Sequence, residues 1–338
     1  MIRPALLLFA LLAVAPPAGA QRFEPRATTG LWWFKGNTHS HTTESDGDSP
    51  PDVVARWYKD HGYRFLVLSD HNVFTDPTRF PDLVDSTFLL IGGEELTSQF
   101  ERRPVHVNGL ALTERLEPET AGTMAATIQR NVDVIRRHAG VPHINHPNFR
   151  WAFGLPELLQ VRNDPLLEIH NGHPLVHNEG GDGSAGMEEI WDGLLSVGKR
   201  IYGIAVDDAH HFQGPFTKER SNPGRGWVVI AAERLETGLL MQSLERGQFY
   251  ASSGVTLESV EVSSAAMAIR IRPDGDFKYT TTFIGDHGRI VARVGGLAPT
   301  YTLNPSRDRK LRYVRARVDD SGGFRAWIQP AFLAGEHP

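Results

Sequence analysis

Short apolar runs recur along the chain up to about residue 210, and most are followed at once by histidine, aspartate or glutamate. The runs predict strands over Trp32–Asn37, Arg64–Ser69, Thr87–Gly92, Val105–Leu112, Val141–Asn145, Leu166–His170 and Arg200–Val206. Between them apolar positions take helical spacing. Val53, Val54, Trp57 and Tyr58 form one stripe, with Ser49 as the expected cap, Pro50 and Pro51 in the first turn and Gly62 as the stop. Thr123–His138 and Met187–Val197 read the same way, ended by Gly140 and Gly198. This alternation predicts an α/β fold with a mainly parallel sheet, and the run of strands predicts a distorted seven-stranded (β/α) barrel. From about Leu257 the pattern shifts to short alternating runs, Ser259–Val262, Ala268–Ile271, Thr280–Ile284, Ile290–Val294 and Tyr313–Val318, separated by Gly, Pro and Asp turns. The expected organisation is a barrel over 21–256 and a small β domain over 257–338. Trp32-Trp33-Phe34 is expected to pack in the core and between the two.

Composition narrows this little: 338 residues, 40% hydrophobic and 22% charged, describe an ordinary globular chain. A formal net charge of -5 without a long basic run argues against a nucleic-acid-coating surface. The N-terminus changes the picture more. Arg3, the apolar stretch from Ala5 to Val14 and the small residues Ala18-Gly19-Ala20 have the form of a secretory signal peptide over 1–20. A secreted or periplasmic protein with no stable membrane insertion after cleavage is expected. With no cysteine, it carries no disulfide. The sequence leaves the oligomeric state open.

The chemistry sits at the strand ends. In Asn37-Thr38-His39-Ser40-His41, residues two apart on a strand share a face, so both imidazoles can converge on one ion. Similar tails follow the later strands: Ser69-Asp70-His71-Asn72, Gly93-Glu94-Glu95, His106, His143-Ile144-Asn145-His146, Glu168-Ile169-His170 and Asp207-Asp208-Ala209-His210-His211. In a parallel barrel such ends gather on one rim. Asp70 is expected to orient a ligating histidine, whereas His143 would face the opposite side of a regular strand from His146. His61 and His138, near helix ends, are expected to face solvent.

These tails, in this order from Gly36 to His210, resemble the polymerase and histidinol phosphatase (PHP) family. Asn145-His146-Pro147-Asn148 and the tail Ala326-Trp327-Ile328-Gln329-Pro330 are most similar to a secreted subgroup that includes a carbamate-insecticide hydrolase. The resemblance implies two or three divalent metal ions, and imidazole and carboxylate ligands without thiolate suit zinc, manganese or iron. One ion would be bound by His39, His41, Glu95 and Asp208, a second by Glu95, His106 and His146, and a third by Asp46, His71 and His210. It makes Glu95, not Glu94, the bridging ligand. It implies hydrolysis of a small-molecule ester, first of all a phosphomonoester or diester, by a metal-bridging hydroxide, with Asp208 also accepting a proton and His170 or the third ion stabilising the leaving oxygen. A carbamate or carboxylic ester is the rival substrate. A non-catalytic, metal-containing module that binds glycans or proteins is the rival of another class.

Overall fold

The computed structural model describes residues 22–26, 28, 30–304 and 306–334, so the expected signal peptide lies outside the described residues. In chain order the first elements are β1 (Arg22–Phe23), β2 (Trp32–Asn37), α1 (Pro51–Asp60), β3 (Phe65–Val67), β4 (Leu89–Ile91), β5 (Gly93–Phe100), β6 (Arg103–Leu110), α2 (Met124–Arg137), β7 (Val141–Ile144), α3 (Leu155–Leu158), β8 (Leu166–Asn171), α4 (Met187–Ser196) and β9 (Tyr202–Val206). There follow β10 (Trp227–Ala232), α5 (Thr237–Glu245), β11 (Phe249–Ser252), β12 (Leu257–Val262), β13 (Ala266–Ile271), β14 (Tyr279–Gly285), β15 (Arg289–Gly295), β16 (Thr300–Thr302), β17 (Tyr313–Asp320) and β18 (Arg325–Ala334).

Local chemistry accounts for the helices. The Thr123 hydroxyl caps α2 by accepting from the Ala126 amide at 3.1 Å. Ile128, Val132 and Ile135, on one stripe, bury completely, and Arg136 and Arg137 complement the dipole at the other end. Beyond α2 it is Ala139, not Gly140, that takes the left-handed step, with φ 58°. Gly140 is needed for room: a Cβ there would lie 2.7 Å from Leu112 Cδ2. At α1 the cap position is Pro50, and Ser49 turns its hydroxyl to Asp48 Oδ1 at 2.9 Å instead of capping. Two prolines at the entry place the helix start one residue beyond the serine's reach.

The strands do not close into the expected barrel. Among the described residues they form a ten-stranded sheet ordered β15-β14-β17-β18-β11-β10-β2-β3-β4, with β1 added to β18, a five-stranded sheet β5-β6-β7-β8-β9 and a three-stranded sheet β12-β13-β16. Only β2-β3-β4 and β7-β8-β9 run parallel. The reason lies in β5 and β6, an antiparallel hairpin turning at Glu101 and Arg102, both at positive φ. The hairpin reverses strand direction where a barrel would need a crossover helix. Helices α2 and α4 and the inner sheet faces share one core around Phe65, Leu96, Ile135, Ile144, Trp191 and Ile204, while α1 packs through Val54 and Tyr58 in a satellite cluster. The C-terminal strands bury a second core around Tyr250, Ile269, Phe283 and Ile328.

The two larger sheets meet at two isolated parallel bridges, Ser40 with Ala209 and His71 with Glu95. At the second joint Gly93 allows the approach, since a Cβ there would stand 2.2 Å from Val67 Cγ1. Both joints lie where β2, β3 and β9 run out, and there the histidines and carboxylates collect.

Candidate metal centre

At the first joint the His39 carbonyl accepts from the Asp208 amide at 3.1 Å and the His41 amide donates to the Ala209 carbonyl at 2.9 Å. This lays His39 and His41 beside Asp208. At the second joint the Glu95 amide donates to Asp70 O at 3.1 Å, and Asn72 N donates to Glu95 O at 3.0 Å. Asn72 (φ 54°) and Asp208 (φ 50°) hold left-handed conformations there, which asparagine and aspartate tolerate better than most other residues.

Four side-chain atoms converge between the joints. His39 Nε2 and His41 Nε2 are 3.1 Å apart, each lies 3.3–3.4 Å from Glu95 Oε2, and each lies 3.2–3.4 Å from Asp208 Oδ1. Tetrahedral ligands about 2.0–2.1 Å from a zinc-like ion stand about 3.3 Å from one another. The spacing fits. Glu95 also faces His71 Nδ1 and His106 Nδ1, both at 2.9 Å, and His146 Nε2 at 3.5 Å. On the outer side Asp46 stands 3.5 Å from His41 Nδ1, 3.6 Å from His71 Nε2 and 3.3 Å from His210 Nε2. Every residue expected as a ligand is therefore in one continuous cluster. Within it Asp46, His71 and His210 group with His41, His39 and His41 with Asp208, Glu95 and His106 with His71, and His146 with His39 and Glu168.

The donor set itself asks for cations. Glu95 Oε2 and His106 Nδ1 are buried without a hydrogen-bond partner, a costly state unless a positive charge is shared there. Burial alone would raise the Glu95 carboxyl, but His71, His106 and His39 outweigh it and hold it well below the usual range. Asp208 is held down in the same way, against its burial, by His39, His41 and His210. Burial, aided by the neighbouring His210, pushes His41 down to about 3, which keeps the ring neutral with one nitrogen free to ligate. Oxygen and imidazole donors without sulfur suit zinc, manganese or iron.

A second ring of groups fixes these ligands. Asn145 Nδ2 donates to Glu95 Oε1 at 2.7 Å and Asn171 Nδ2 to Asp208 Oδ2 at 3.0 Å. Asp70 holds no histidine directly; it accepts from the Thr42 amide and the Ser45 hydroxyl, both at 2.7 Å, and so shapes the loop after His41. Asp207 is likewise structural, accepting from Asn37 at 2.6 Å and the Tyr58 hydroxyl at 2.9 Å. Glu94 projects from the other face of β5, where it accepts from Leu116 N at 2.9 Å and burial pushes it up to about 7.

Glu168 is the strand-end residue to which the sequence gives no role. Its buried carboxylate meets His39 Nδ1 at 2.6 Å, His143 Nε2 at 3.1 Å and the His146 amide at 2.8 Å. A carboxylate on Nδ1 favours a proton there, which makes Nε2 the nitrogen of His39 that would face an ion shared with Glu95 and Asp208. His143, expected to face away, reaches the centre through this carboxylate. The structure does not bring His170 into the cluster: its ring stacks on Trp327 at 5.2 Å, and Nε2 lies 3.1 Å from the Arg225 carbonyl. We expect Glu168→Gln to lower metal affinity about 10–100-fold, the usual loss when the partner of a ligating imidazole is removed. A competitive chelator titration measures it, and unchanged affinity would show that the carboxylate does not set the His39 tautomer.

No family model matches the sequence, and no curated protein does. Among solved structures the chain is similar to a two-domain protein from Bacteroides vulgatus ATCC 8482 containing a predicted PHP-like metal-dependent phosphoesterase, at 16% identity and a TM-score of 0.53, over 91% of this chain and 98% of that one. The chain thus shares its fold with this two-domain protein over most of its length. A candidate metal-dependent phosphoesterase from Bifidobacterium adolescentis ATCC 15703 matches at 13% identity and a TM-score of 0.41, covering 59% of this chain and 91% of that one. An amidohydrolase from Chromobacterium violaceum matches at 15% and 0.37, covering 55% and 93%.

Proposed function

We propose that the chain is a metal-dependent hydrolase that cleaves a phosphomonoester or phosphodiester of a small molecule. The observation that carries the hydrolase reading is the convergence of His39, His41, Glu95 and Asp208 at ion-ligand spacing around an unpartnered buried carboxylate oxygen. Phosphoester is favoured by the sequence resemblance and by the description of the Bacteroides protein that shares the fold. Two or three divalent ions, held by the residues named above, would supply Lewis-acid stabilisation of phosphoryl oxygens and acidify an attacking water.

The chain's own residues do the rest. Asp208, ionised and steadied by Asn171, is placed to accept the proton of that water. Glu95, tied by Asn145, keeps the ligands of neighbouring ions in register. Phe149 stands 5.3 Å from the His146 ring and His173 stands 5.4 Å from the His210 ring, so these two side chains wall the approach and limit water. Arg150, packed over Phe149 at 5.3 Å, offers a cation to a substrate phosphate. Turnover of p-nitrophenyl phosphate, bis-p-nitrophenyl phosphate and a naphthyl carbamate, before and after chelation, tests the reading. Metal-dependent phosphoester cleavage is expected; preference for the carbamate would move the assignment to the rival ester class, and inertness toward all three would remove it.

Export belongs to the same reading. We place a signal peptide over 1–20, a hydrolase unit over 21–256 and a β-rich unit over 257–338. Protein exported by its native host should show by mass spectrometry an N-terminus at or near Gln21. An intact Met1 in a membrane fraction would contradict it.

A further inference from the structure

Alternation along β2 sends Phe34 into the main core and Trp33 and Lys35 to the opposite face. There, with Trp227 and Tyr250 from β10 and β11, Arg64 before β3 and Arg272 after β13, they line a groove of about 530 Å³. Its aromatic part is fixed. Trp33 meets Tyr250 edge to face at 5.2 Å and donates its indole N–H to the Glu258 carbonyl at 2.9 Å. Lys35 Nζ lies between the Tyr63 and Trp227 rings, 3.9 and 4.0 Å from their centroids.

Its cationic part makes no ion pair among the described residues. Among the described residues no side-chain hydrogen bond or ion pair engages Lys35, Arg64 or Arg272, and Arg64 Nε is buried without a partner. The carboxylate lining the groove, Glu258, is exposed at its edge. Burial pushes the Lys35 ammonium down to about 8, against the pull of Asp207. A buried, unpartnered guanidinium nitrogen and a desolvated ammonium both gain from an incoming anion.

We propose that this groove binds an acidic saccharide. A carboxylate or sulfate would lie among Lys35, Arg64 and Arg272, and the apolar face of a sugar ring would lie against Trp33. A free inorganic anion would leave the aromatic wall unused. A nucleic-acid strand needs a longer cationic track than three side chains on a chain of net charge -5 provide. The site is separate from the metal centre and does not depend on the hydrolase reading.

The test is calorimetric titration of the full chain with a galacturonate trisaccharide, a sulfated trisaccharide, a neutral trisaccharide, sodium sulfate and oligothymidylate, at low and high salt. The expected result is salt-sensitive binding of an acidic trisaccharide, weakened about tenfold or more by Arg272→Glu and by Arg64→Gln, as losing a charged hydrogen bond predicts. Melting temperature and hydrolytic turnover should be unchanged in both variants, since neither residue touches the metal centre. Binding that is equal for the neutral sugar, confined to sodium sulfate, stronger for oligothymidylate, absent, or indifferent to both substitutions would overturn the proposal.

Discussion

Glu95→Gln should reduce turnover by on the order of a thousandfold and deplete bound metal, because one residue serves several groups of ligands at once. Its Oε2 faces His39, His41 and His71, and its Oε1 faces His106 and His146. The amide keeps the volume but replaces an anionic oxygen by a neutral N–H donor, which cannot ligate a cation and competes with it for the imidazole lone pairs. Losses at the surrounding asparagines should be smaller, since those act through the carboxylate. Glu94→Gln is the control: it lies on the opposite face of β5, and turnover should stay within a few-fold of the parent. Elemental analysis alongside turnover decides the matter. Full metal content in Glu95→Gln would refute the bridging role.

Arg315→Ala should destabilise the fold by about 3–5 kcal/mol, the range for breaking a buried ion pair from one side. The guanidinium is 1% exposed and holds Asp192 through Nε at 2.6 Å and Nη2 at 2.7 Å, and Glu188 through Nη1 at 2.8 Å. Its planar group also lies 4.8 Å from the Trp191 ring. Removing it strands Asp192, with only the Tyr313 hydroxyl at 2.8 Å remaining, and leaves Glu188 to Arg317 and Trp327. Both carboxylates belong to α4, whereas Tyr313, Arg315, Arg317 and Trp327 belong to β17 and β18. The network thus fastens the first half of the chain to the second. Chemical denaturation measures the loss. The double variant Arg315→Met with Asp192→Leu should recover much of it, because no charge is then left unpaired; a double variant as unstable as the sum of the singles would locate the effect elsewhere.

The site was legible where a ligand directly follows an apolar run, as at His39, His41, His71 and Asp208. There the end of burial and the start of chemistry coincide in the sequence. Glu168 was not, and the cause is geometric. In a regular strand Glu168 and His170 would share a face, but the register of β8 against β9 shifts between them, so one carboxylate reaches the centre and the imidazole packs on Trp327. Strand β5 was missed because Gly93-Glu94-Glu95-Leu96-Thr97-Ser98-Gln99-Phe100 is mostly polar. Its burial comes from pairing with β6 and from the cluster itself, neither of which is local information. The same limit hid the break in the barrel. Closure depends on which distant strands pair, and the apolar runs of β10 and β11 give no sign that they will bridge β2 to β18.

Strand β18 sits in mid-sheet between β17 and β11, and it also takes up β1 from the other end of the described chain. Until residues 325–334 emerge, β11 has one exposed edge, β1 has no partner and Glu188 lacks the Trp327 indole. The ten-stranded sheet is therefore completed only by pairing strands from distant parts of the described chain, a topology of high contact order for which slow completion is expected.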